Sequence, residues 1–538
     1  MSNKSFRPYI YFPILFALVL VGGIYVGVNL NAEANHNLFK PVVKPQHHKL
    51  TEVLNYIEQE YVDTVSMDSL TEETITKLLQ SLDPHSSYIP AKELQATNEP
   101  LDGKFEGIGV EFNIIEDTIV VIAPISGGPS QKLGIQPGDR IVKIEGKNVA
   151  GTGIKSKDVM DKLRGKGGTE VSIHIFRRGT KDLIEYTITR GNIPIHSIDV
   201  AFMLNSETGY IKISRFGATT FDEYVEAFDK LKKSGLQKLI LDLRGNPGGY
   251  LNAANDLADE FLPAKEMIVY TEGKARPREN HYATSGGDFE KNPLVILVDE
   301  GSASASEILA GAIQDNDRGT IIGRRTFGKG LVQEQVDLPD GSAIRLTIAR
   351  YYTPTGRSIQ KPYTHNADEY YEEYYARLDK GELYNKDSIK FSDTLKFTTP
   401  GGKTVYGGGG IMPDIFVPVD TTRLSKYLSA VFSKGLVNQF AFDYADKNRS
   451  SLAAYKSFET FNKQFSVSEK MLNDFIVYAE NKGVKKSEHG NLASGHTLEY
   501  LKLQIKAIIA RNIWNDEGYY PVILQDDDIL KKALEELK

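Results

Sequence analysis

Residues 195–360 alternate between short strand-like runs and helical segments, and this pattern restricts the possible folds more than any other feature. The strand candidates are GYIKIS, KLILDL, LVILVD and GTIIG. Helical patterns such as TFDEYVEAFDKLKKSG and YLNAANDLADEFL lie between them. Strands that alternate with helices are joined by crossover connections, which favour parallel pairing. The sequence therefore predicts an α/β domain whose sheet is at least partly parallel.

The rest of the chain changes in composition and hydrophobic periodicity at several points. Its 538 residues are enough for about three or four domains. Apolar residues recur at helical spacing from about Lys49 to Leu94, and residues 103–190 form short β-rich runs around one amphipathic helix, KDVMDKLRG. The predicted fold class is multidomain α/β, divided into a membrane anchor or signal segment at 1–34, an N-terminal helical region at 35–100, a β-module at 101–192, an α/β core at 193–420 with an exposed insertion at 364–400, and a C-terminal helical domain at 421–538.

The N-terminus carries an apolar segment with no charged residue between Arg7 and Glu33. Its length is enough to cross a bilayer of about 30 Å as a helix. Lys4 and Arg7 precede it, and the positive-inside rule places them in the cytoplasm. We expect an anchor in a bacterial inner membrane, with the bulk of the protein in the periplasm. A cleaved signal peptide is the alternative, because Ala32-Glu33-Ala34 resembles a small-residue cleavage site.

Charge and cysteine content exclude several classes of function. The net charge of −7 gives no electrostatic footprint for binding nucleic acid. The sequence has no cysteine, which removes disulfides, thiolate nucleophiles and cysteine-ligated zinc.

The segment PLVILVDEGSASASEILAGAIQD, residues 293–315, joins a strand to a helix through a run of small residues. A serine at such a turn can be exposed as a nucleophile, because the helix N-terminus adds free N–H groups and partial positive charge. Ser304 and Glu307 also fit a capping box, which requires no chemistry. These residues alone leave both interpretations open.

A serine nucleophile requires a base, and the segment GRRTFGKG, residues 323–330, offers Lys329. The segment matches the start of a phosphate-binding loop, but Gly330 stands where that loop has Ser or Thr, and the following residues alternate as in a strand. A lysine can serve as the base when burial keeps it neutral. A surface-loop lysine is the alternative and the commoner situation.

A third segment, KLILDLRGNPGGYL, ends a buried strand with a glycine-rich turn before a helix. Gly248 and Gly249 can direct backbone N–H groups at an anion without interference from a Cβ atom, as an oxyanion hole requires. An ordinary turn between a strand and a helix is the alternative.

Together these segments resemble the carboxyl-terminal processing peptidases, or tail-specific proteases, of the serine peptidase S41 group. The matching segments follow the family's order over about residues 50–420 and read LDPHSSYI, GIGVEF, GDRIVKIEG, LDLRGNPGG, GSASASEILAGAIQD, TFGKGLVQ and GGIMPDIFV. The family often has DLRNNPGG, from which this chain departs at Gly245. The residues after 420 lie outside the shared core, and the resemblance implies nothing for them.

The resemblance assigns catalytic roles to individual residues. Ser304 matches the nucleophile, Lys329 the general base and Gln333 the group that orients the lysine. Alternation with a period of two places Lys329, Leu331 and Gln333 on one side of a strand. The oxyanion hole matches the N–H of Ala305 together with that of either Gly248 or Gly249.

The β-rich module resembles a PDZ domain, in which a peptide adds as a strand and loop N–H groups bind its C-terminal carboxylate. The resemblance assigns Arg164 to a position that, in some relatives, couples the PDZ domain to catalysis. The residues assigned to peptide binding are the loop Gly107, Ile108, Gly109 and Val110, and the pocket residues Val159 and Leu163.

The resulting expectation is a serine endopeptidase with a Ser304–Lys329 dyad that needs no metal, nucleotide or other cofactor. Its partners would be protein or peptide substrates with free apolar C-termini, recognised by the PDZ domain, and the membrane, reached through the N-terminal helix. The resemblance also allows a homo-oligomer, supported by the N-terminal helices, or an adaptor protein. The alternative from another class is a binding scaffold or chaperone with an inactive protease core.

Overall fold

The computed structural model describes Ala17, Val19 and residues 49–363, 367–421, 425–485 and 495–538. The predicted anchor or signal segment at 1–34 therefore lies outside the described residues, apart from Ala17 and Val19. In the described ranges no helix combines the length and apolar character needed to span a membrane.

The N-terminal region is helical, as the sequence predicts. Residues 49–102 form α1 (Lys49–Glu60), α2 (Met67–Gln80), β1 (Ser87–Ile89) and α3 (Ala91–Asp102). Helix α3 ends at Gly103, whose φ of 72° is the left-handed conformation that commonly terminates a helix. The chain separates into a unit that ends at Thr74 and a unit from Ile75 onward, and the elements described below belong to the second.

The β-module is an antiparallel sheet that packs against one helix. In chain order its elements are β2 (Lys104–Gly107), β3 (Val110–Ile115), β4 (Thr118–Pro124), α4 (Pro129–Lys132), β5 (Arg140–Ile144), β6 (Lys147–Asn148), α5 (Ser156–Leu163), β7 (Glu170–Phe176), β8 (Ile184–Thr189) and β9 (Gly191–Pro194). The sheet order is β3-β4-β5-β7-β8, so β3 lies at an edge. The predicted amphipathic helix is α5, and its Val159 and Leu163 share a core with inward-facing isoleucines of the strands.

The described part of the α/β core contains two larger sheets and a two-stranded sheet formed by Lys396–Thr398 and Thr404–Tyr406. In chain order its elements are β10 (Ile198–Met203), β11 (Thr208–Ile213), α6 (Thr220–Lys233), β12 (Lys238–Asp242), α7 (Leu251–Asp259), β13 (Met267–Glu272), β14 (Glu279–Tyr282), β15 (Leu294–Val298), α8 (Ala305–Asp315), β16 (Thr320–Gly323), β17 (Leu331–Asp337), β18 (Ala343–Tyr352), α9 (Ala367–Asp379), β19 (Lys396–Thr398), β20 (Thr404–Tyr406) and β21 (Ile415–Phe416).

The main sheet has the order β10-β11-β12-β15-β16-β21, in which only the β10–β11 pair is antiparallel. The predicted strands and their partly parallel pairing are confirmed. Every residue of β15 is buried, as is usual for parallel strands covered on both faces. Parallel pairing brings the turns after β12 and β15 to the same edge of the sheet. The second sheet pairs β17 and β1 with β18.

The insertion at 364–400 is not simply exposed, so that prediction is wrong for its helix, α9. Tyr370 and Arg377 of α9 are each only 4% exposed. Tyr371 and Tyr375 on the same helix are exposed, at 52% and 65%. The buried face of α9 is not apparent from the sequence, because it includes an arginine. The Arg377 side chain is buried and donates hydrogen bonds to main-chain carbonyl oxygens of the core. Residues 364–366 lie outside the described part.

The C-terminal domain is helical, as predicted. Its helices are α10 (Lys426–Ser433), α11 (Leu436–Lys447), α12 (Arg449–Leu452), α13 (Phe458–Gln464), α14 (Glu469–Asn481), α15 (Gly495–Ile523) and α16 (Asp528–Glu536). Helix α15 is interrupted at Trp514 and Asn515, whose backbone is not helical. Asp527 caps the N-terminus of α16 by accepting a hydrogen bond from the N–H of Leu530. The protein is thus a mixed α/β multidomain chain with a helical C-terminal region.

Candidate active site

Ser304 lies in the turn between β15 and α8 in a strained conformation. Its φ of 54° and ψ of −113° fall outside the regions that a residue with a side chain normally adopts. Such strain persists only where the surroundings enforce it, and it is concentrated at functional sites. A sharp turn between a strand and a helix is a known way to present a nucleophile. The geometry therefore favours a chemical role over capping alone.

Glu307 ties the Ser304 turn to the Lys329 loop. Its buried carboxyl group accepts hydrogen bonds from the N–H groups of Ser304 at 2.9 Å, Gly328 at 2.7 Å and Lys329 at 2.8 Å. The Thr326 hydroxyl donates a fourth, at 2.5 Å. The capping contact from Glu307 to the Ser304 N–H is present, but it is one of four. Burial raises the pKa of Glu307 to about 7, although the four donors oppose this rise.

Tyr351 makes a second bridge between the same two segments. Its buried hydroxyl lies 3.2 Å from the Ser304 carbonyl oxygen and 2.6 Å from the Lys329 carbonyl oxygen. Glu307 and Tyr351 thus hold the main chain of both residues.

Lys329 is partly buried, and it is the candidate base that a serine nucleophile would require. Burial, followed by the positive charge of Arg345, lowers its pKa. Its Nζ atom donates a hydrogen bond to Oε1 of Gln333 at 3.0 Å, so the two side chains face each other as the sequence predicts. The predicted continuous strand is only partly right, because β17 begins at Leu331 and its pairing with β18 shifts register between Val332 and Gln333.

Gln333 is held in turn by the segment LDPHSSYI. Its Nε2 atom donates to the His85 carbonyl oxygen at 2.6 Å, which leaves Oε1 directed at Lys329. Asp83 fixes this segment by accepting hydrogen bonds from the His85 N–H at 2.8 Å and from the Ser86 hydroxyl at 2.6 Å. The sequence contains this motif, but its contact with Gln333 spans 248 residues and could not be deduced from spacing.

The predicted oxyanion-hole residues lie beside Ser304. A Cβ atom on Gly248 would lie 2.7 Å from the Ser304 Cβ and 2.8 Å from the Ala305 nitrogen, so only glycine permits this approach. The N–H of Ala305 begins α8 and has no acceptor within its own helix. The N–H of Gly248 donates to Oδ1 of Asn246 at 2.8 Å, an interaction that competes with binding of a substrate oxygen.

One cavity of about 440 Å³ brings the candidate residues together. Its lining includes Ser304, Lys329, Gln333, Gly248 and Gly249. Across the described residues, no group of three or more His, Asp or Glu side chains is arranged to hold a metal ion.

Helix α9 supports the Lys329 loop from outside the cavity. Arg377 donates to the carbonyl oxygens of Thr326 at 2.8 Å and Phe327 at 3.0 Å. Tyr370 contacts the ring of His85, with its hydroxyl 3.0 Å from Nε2. The insertion therefore packs against both segments that position Lys329.

The residues assigned to peptide binding lie in the β-module, away from the cavity. Gly107 ends β2, Ile108 and Gly109 connect it to β3, and Val110 begins β3 at the free edge of its sheet. Val159 and Leu163 are buried in the core of the module.

Arg164 connects the β-module to α3. It donates to the Glu99 carboxylate at 2.6 Å and lies over the ring of Phe105. Asn98, Leu101 and Asp102 of the same helix line the cavity that contains Ser304 and Lys329. Helix α3 therefore contacts the β-module through Glu99 and also contributes residues to the lining of the cavity.

Sequence reasoning missed Glu307 as a bridge, and it missed Tyr351 and Arg377 altogether. A signal existed for Glu307, which is the one acidic residue in the apolar stretch SASEILAGAI. No local signal distinguishes Tyr351 among 28 tyrosines, because its acceptors lie on other segments.

Three family models match the chain: PDZ domain at residues 107–188, peptidase family S41 at 207–367, and a family of unknown function, DUF8443, at 427–515. Carboxy-terminal processing protease CtpB of Bacillus subtilis is 32% identical over 355 residues, which are 63% of this chain and 72% of that protein. The carboxy-terminal-processing protease of Bartonella bacilliformis is 34% identical over 355 residues, which are 64% and 80% of the two chains. Among solved structures, the photosystem II D1 C-terminal processing protease is 27% identical and covers 68% of this chain and 92% of its own, with a TM-score of 0.35.

Proposed function

The chain belongs to the carboxyl-terminal processing proteases of peptidase family S41, which are serine proteases, and from this premise we propose that Ser304 and Lys329 form its catalytic dyad, with Gln333 orienting the lysine. One observation carries the proposal: Ser304 lines the same cavity as a partly buried lysine whose amine is hydrogen-bonded to Gln333. A buried lysine is neutral more readily than an exposed one, and only the neutral amine accepts a proton.

The proposed reaction proceeds in two steps. Lys329 takes the proton of the Ser304 hydroxyl while Oγ attacks the peptide carbonyl carbon. The N–H groups of Ala305 and the 248–249 loop stabilise the oxyanion. The C–N bond then breaks, and the protonated Lys329 gives its proton to the leaving amine. Water, deprotonated by Lys329, hydrolyses the acyl-enzyme and regenerates Ser304. Because Asn246 engages the Gly248 N–H, the contact supports Gly249 as the second donor.

The test is cleavage of a protein that carries an unstructured apolar C-terminal tail. We expect the wild-type protein to cleave it and Ser304→Ala and Lys329→Ala to lose about a thousandfold or more in kcat. Gln333→Ala is expected to lose less, because it orients the base without taking the proton. Wild-type rates in both the Ser304 and Lys329 variants would refute the dyad, and a scaffold with an inactive core would give no cleavage at all.

Substrate recognition through the PDZ domain is the second part of the proposal. The edge strand β3 supplies a row of main-chain groups to which an extended peptide can pair, and the loop 107–110 lies at the start of that strand. A substrate with a free C-terminal carboxylate should then be cleaved faster than the same substrate with an amidated C-terminus. Equal rates for the two would refute recognition of the carboxylate.

The cellular location is proposed from the sequence. The uncharged segment between Arg7 and Glu33 supports an anchor in the inner membrane with the catalytic domains in the periplasm, where an adaptor or a second copy would reach them. We expect a protease added to intact spheroplasts to digest the C-terminal domain. A C-terminal domain that stays intact in this experiment would place it in the cytoplasm and refute the proposed location.

A further inference from the structure

The C-terminal helical domain reaches the loop that carries Gly248 and Gly249 through one carboxylate. Oδ2 of Asp527 accepts a hydrogen bond from Nη1 of Arg244 at 2.6 Å. The two side chains are only 18% and 16% exposed. Arg244 lies two residues after the end of β12 and begins the loop, which runs from residue 244 to 249.

Asp527 completes the charge balance of a mostly buried cluster. Arg244 also pairs with Asp242 at 2.6 Å, and Lys212 lies 3.4 Å from the same carboxylate and donates to the Arg244 carbonyl oxygen. Two cations thus face two anions. Without the charge of Asp527 the cluster would hold one uncompensated positive charge, which is costly to keep away from water.

Hydrogen bonds connect the 244–249 loop to the segment that carries Ser304. The N–H of Gly245 donates to Asp299 at 2.8 Å. The Asn246 carbonyl oxygen accepts from the N–H of Ala303 at 2.9 Å and from the Ser306 hydroxyl at 3.0 Å. A shift at Arg244 would therefore move the main chain on both sides of Ser304.

We propose that Asp527 is a positioning residue for proteolysis, which holds the 244–249 loop in place through Arg244. The proposal rests on the function proposed above, since it assumes that this loop supplies an oxyanion donor. It gives the C-terminal domain a part in catalysis although none of the domain's described residues lines the cavity that contains Ser304.

Asp527→Asn separates this role from helix capping. Oδ1 of Asp527 caps α16 by accepting from the Leu530 N–H at 2.9 Å, and asparagine caps a helix about as well as aspartate. Two variants serve as matched controls. Asp526→Asn makes the same change one residue away, where the carboxylate pairs with Lys531 at 2.7 Å. Tyr520→Phe removes another contact between the domain and the core, a hydrogen bond to Asp199 at 2.8 Å.

The experiment measures kcat and KM for a short peptide, with kcat expressed per serine labelled by a fluorophosphonate, which phosphonylates an activated serine hydroxyl with loss of fluoride, so that unfolded protein does not contribute. We expect Asp527→Asn to lower kcat and the labelling rate by about tenfold and to leave KM within about twofold. Both controls should keep the wild-type kcat.

Two failures are distinguishable. If wild-type protein is not labelled at Ser304, or Ser304→Ala retains activity, the proposed function fails. If wild-type protein is active and Asp527→Asn has the same kcat per labelled serine as the two controls, only the role of Asp527 is overturned. A loss of kcat in Tyr520→Phe equal to that in Asp527→Asn would also overturn it, because docking of the domain would then explain the effect.

Discussion

Ser304 and Lys329 are joined through their main chains by the same two buried side chains. Glu307 accepts a hydrogen bond from the N–H of each, and Tyr351 contacts the carbonyl oxygen of each. The two segments are thereby held in register before a substrate binds. Groups that are fixed in advance need no reorganisation during the reaction, which is the main source of electrostatic catalysis.

Glu307→Gln tests this bridge. The amide keeps the shape of the carboxyl group but replaces one acceptor oxygen with a donor, which would face N–H groups. Leaving buried donors without an acceptor costs about 1–3 kcal/mol each. We expect urea unfolding to show a loss of at least ~2 kcal/mol, and we expect lower kcat with peptide substrate. Glu226→Gln is the control, because that side chain is 74% exposed on α6. Wild-type stability and kcat in Glu307→Gln would contradict the bridge.

Gly248→Ala should lower kcat strongly, because the added methyl group would lie 2.7 Å from the Ser304 Cβ and the φ of 95° is unfavourable for alanine. A loss of about a hundredfold or more in kcat is expected if an oxyanion donor is displaced. Gly245→Asn is the matched control in the same loop. Its φ is 67°, which asparagine tolerates, and nothing lies within 4 Å of the added Cβ. Equal kcat values for the two variants would show that the loop is not close to the reaction.

The pH dependence of kcat/KM should report the ionisation of Lys329. Burial and the charge of Arg345 lower its pKa below the ordinary 10.5, and only the neutral amine is active. The rate should therefore rise with pH through this lowered pKa and level off below pH 10.5. Arg345→Gln removes the neighbouring positive charge, so the midpoint should move to higher pH.

Arg350→Gln is the control for this profile, since Arg350 lies on the same strand, β18, with an exposed side chain. A midpoint that stays in place in Arg345→Gln, or that moves to lower pH, would argue against Lys329 as the titrating base.

Arg377→Met should lower activity from outside the cavity. The change removes hydrogen bonds to the Thr326 and Phe327 carbonyl oxygens, which immediately precede the Lys329 segment, and preserves most of the side-chain volume. We expect a loss of about 2 kcal/mol in stability and a severalfold lower kcat. Tyr375→Ala on the exposed face of α9 should change neither. If both variants behave alike, α9 does not support the loop.

Local patterns were enough to predict much of the fold. The strands β11, β12, β15 and β16 are apolar runs separated by helical patterns, so their at least partly parallel pairing could be inferred. Ser304 and Lys329 stand in short segments whose composition is itself distinctive, and the resemblance to the S41 family then added Gln333.

The supports of the site could not be predicted in the same way. Tyr351, Arg377 and Asp527 act on segments far away in the chain, and neither their spacing nor their neighbours in sequence reveal the partner. The helix α9 was misjudged for a related reason, because a buried arginine looks like a surface residue until its acceptors are known.

The pairing of Arg244 with Asp527 also orders events during biosynthesis. The two residues are 283 positions apart. The ribosome therefore completes the 244–249 loop long before it adds Asp527, whose carboxylate pairs with the Arg244 guanidinium. At a synthesis rate of about 5–20 residues per second, that interval is tens of seconds at the slow end. A nascent core therefore cannot form this ion pair until the segment that carries Asp527 has been synthesised.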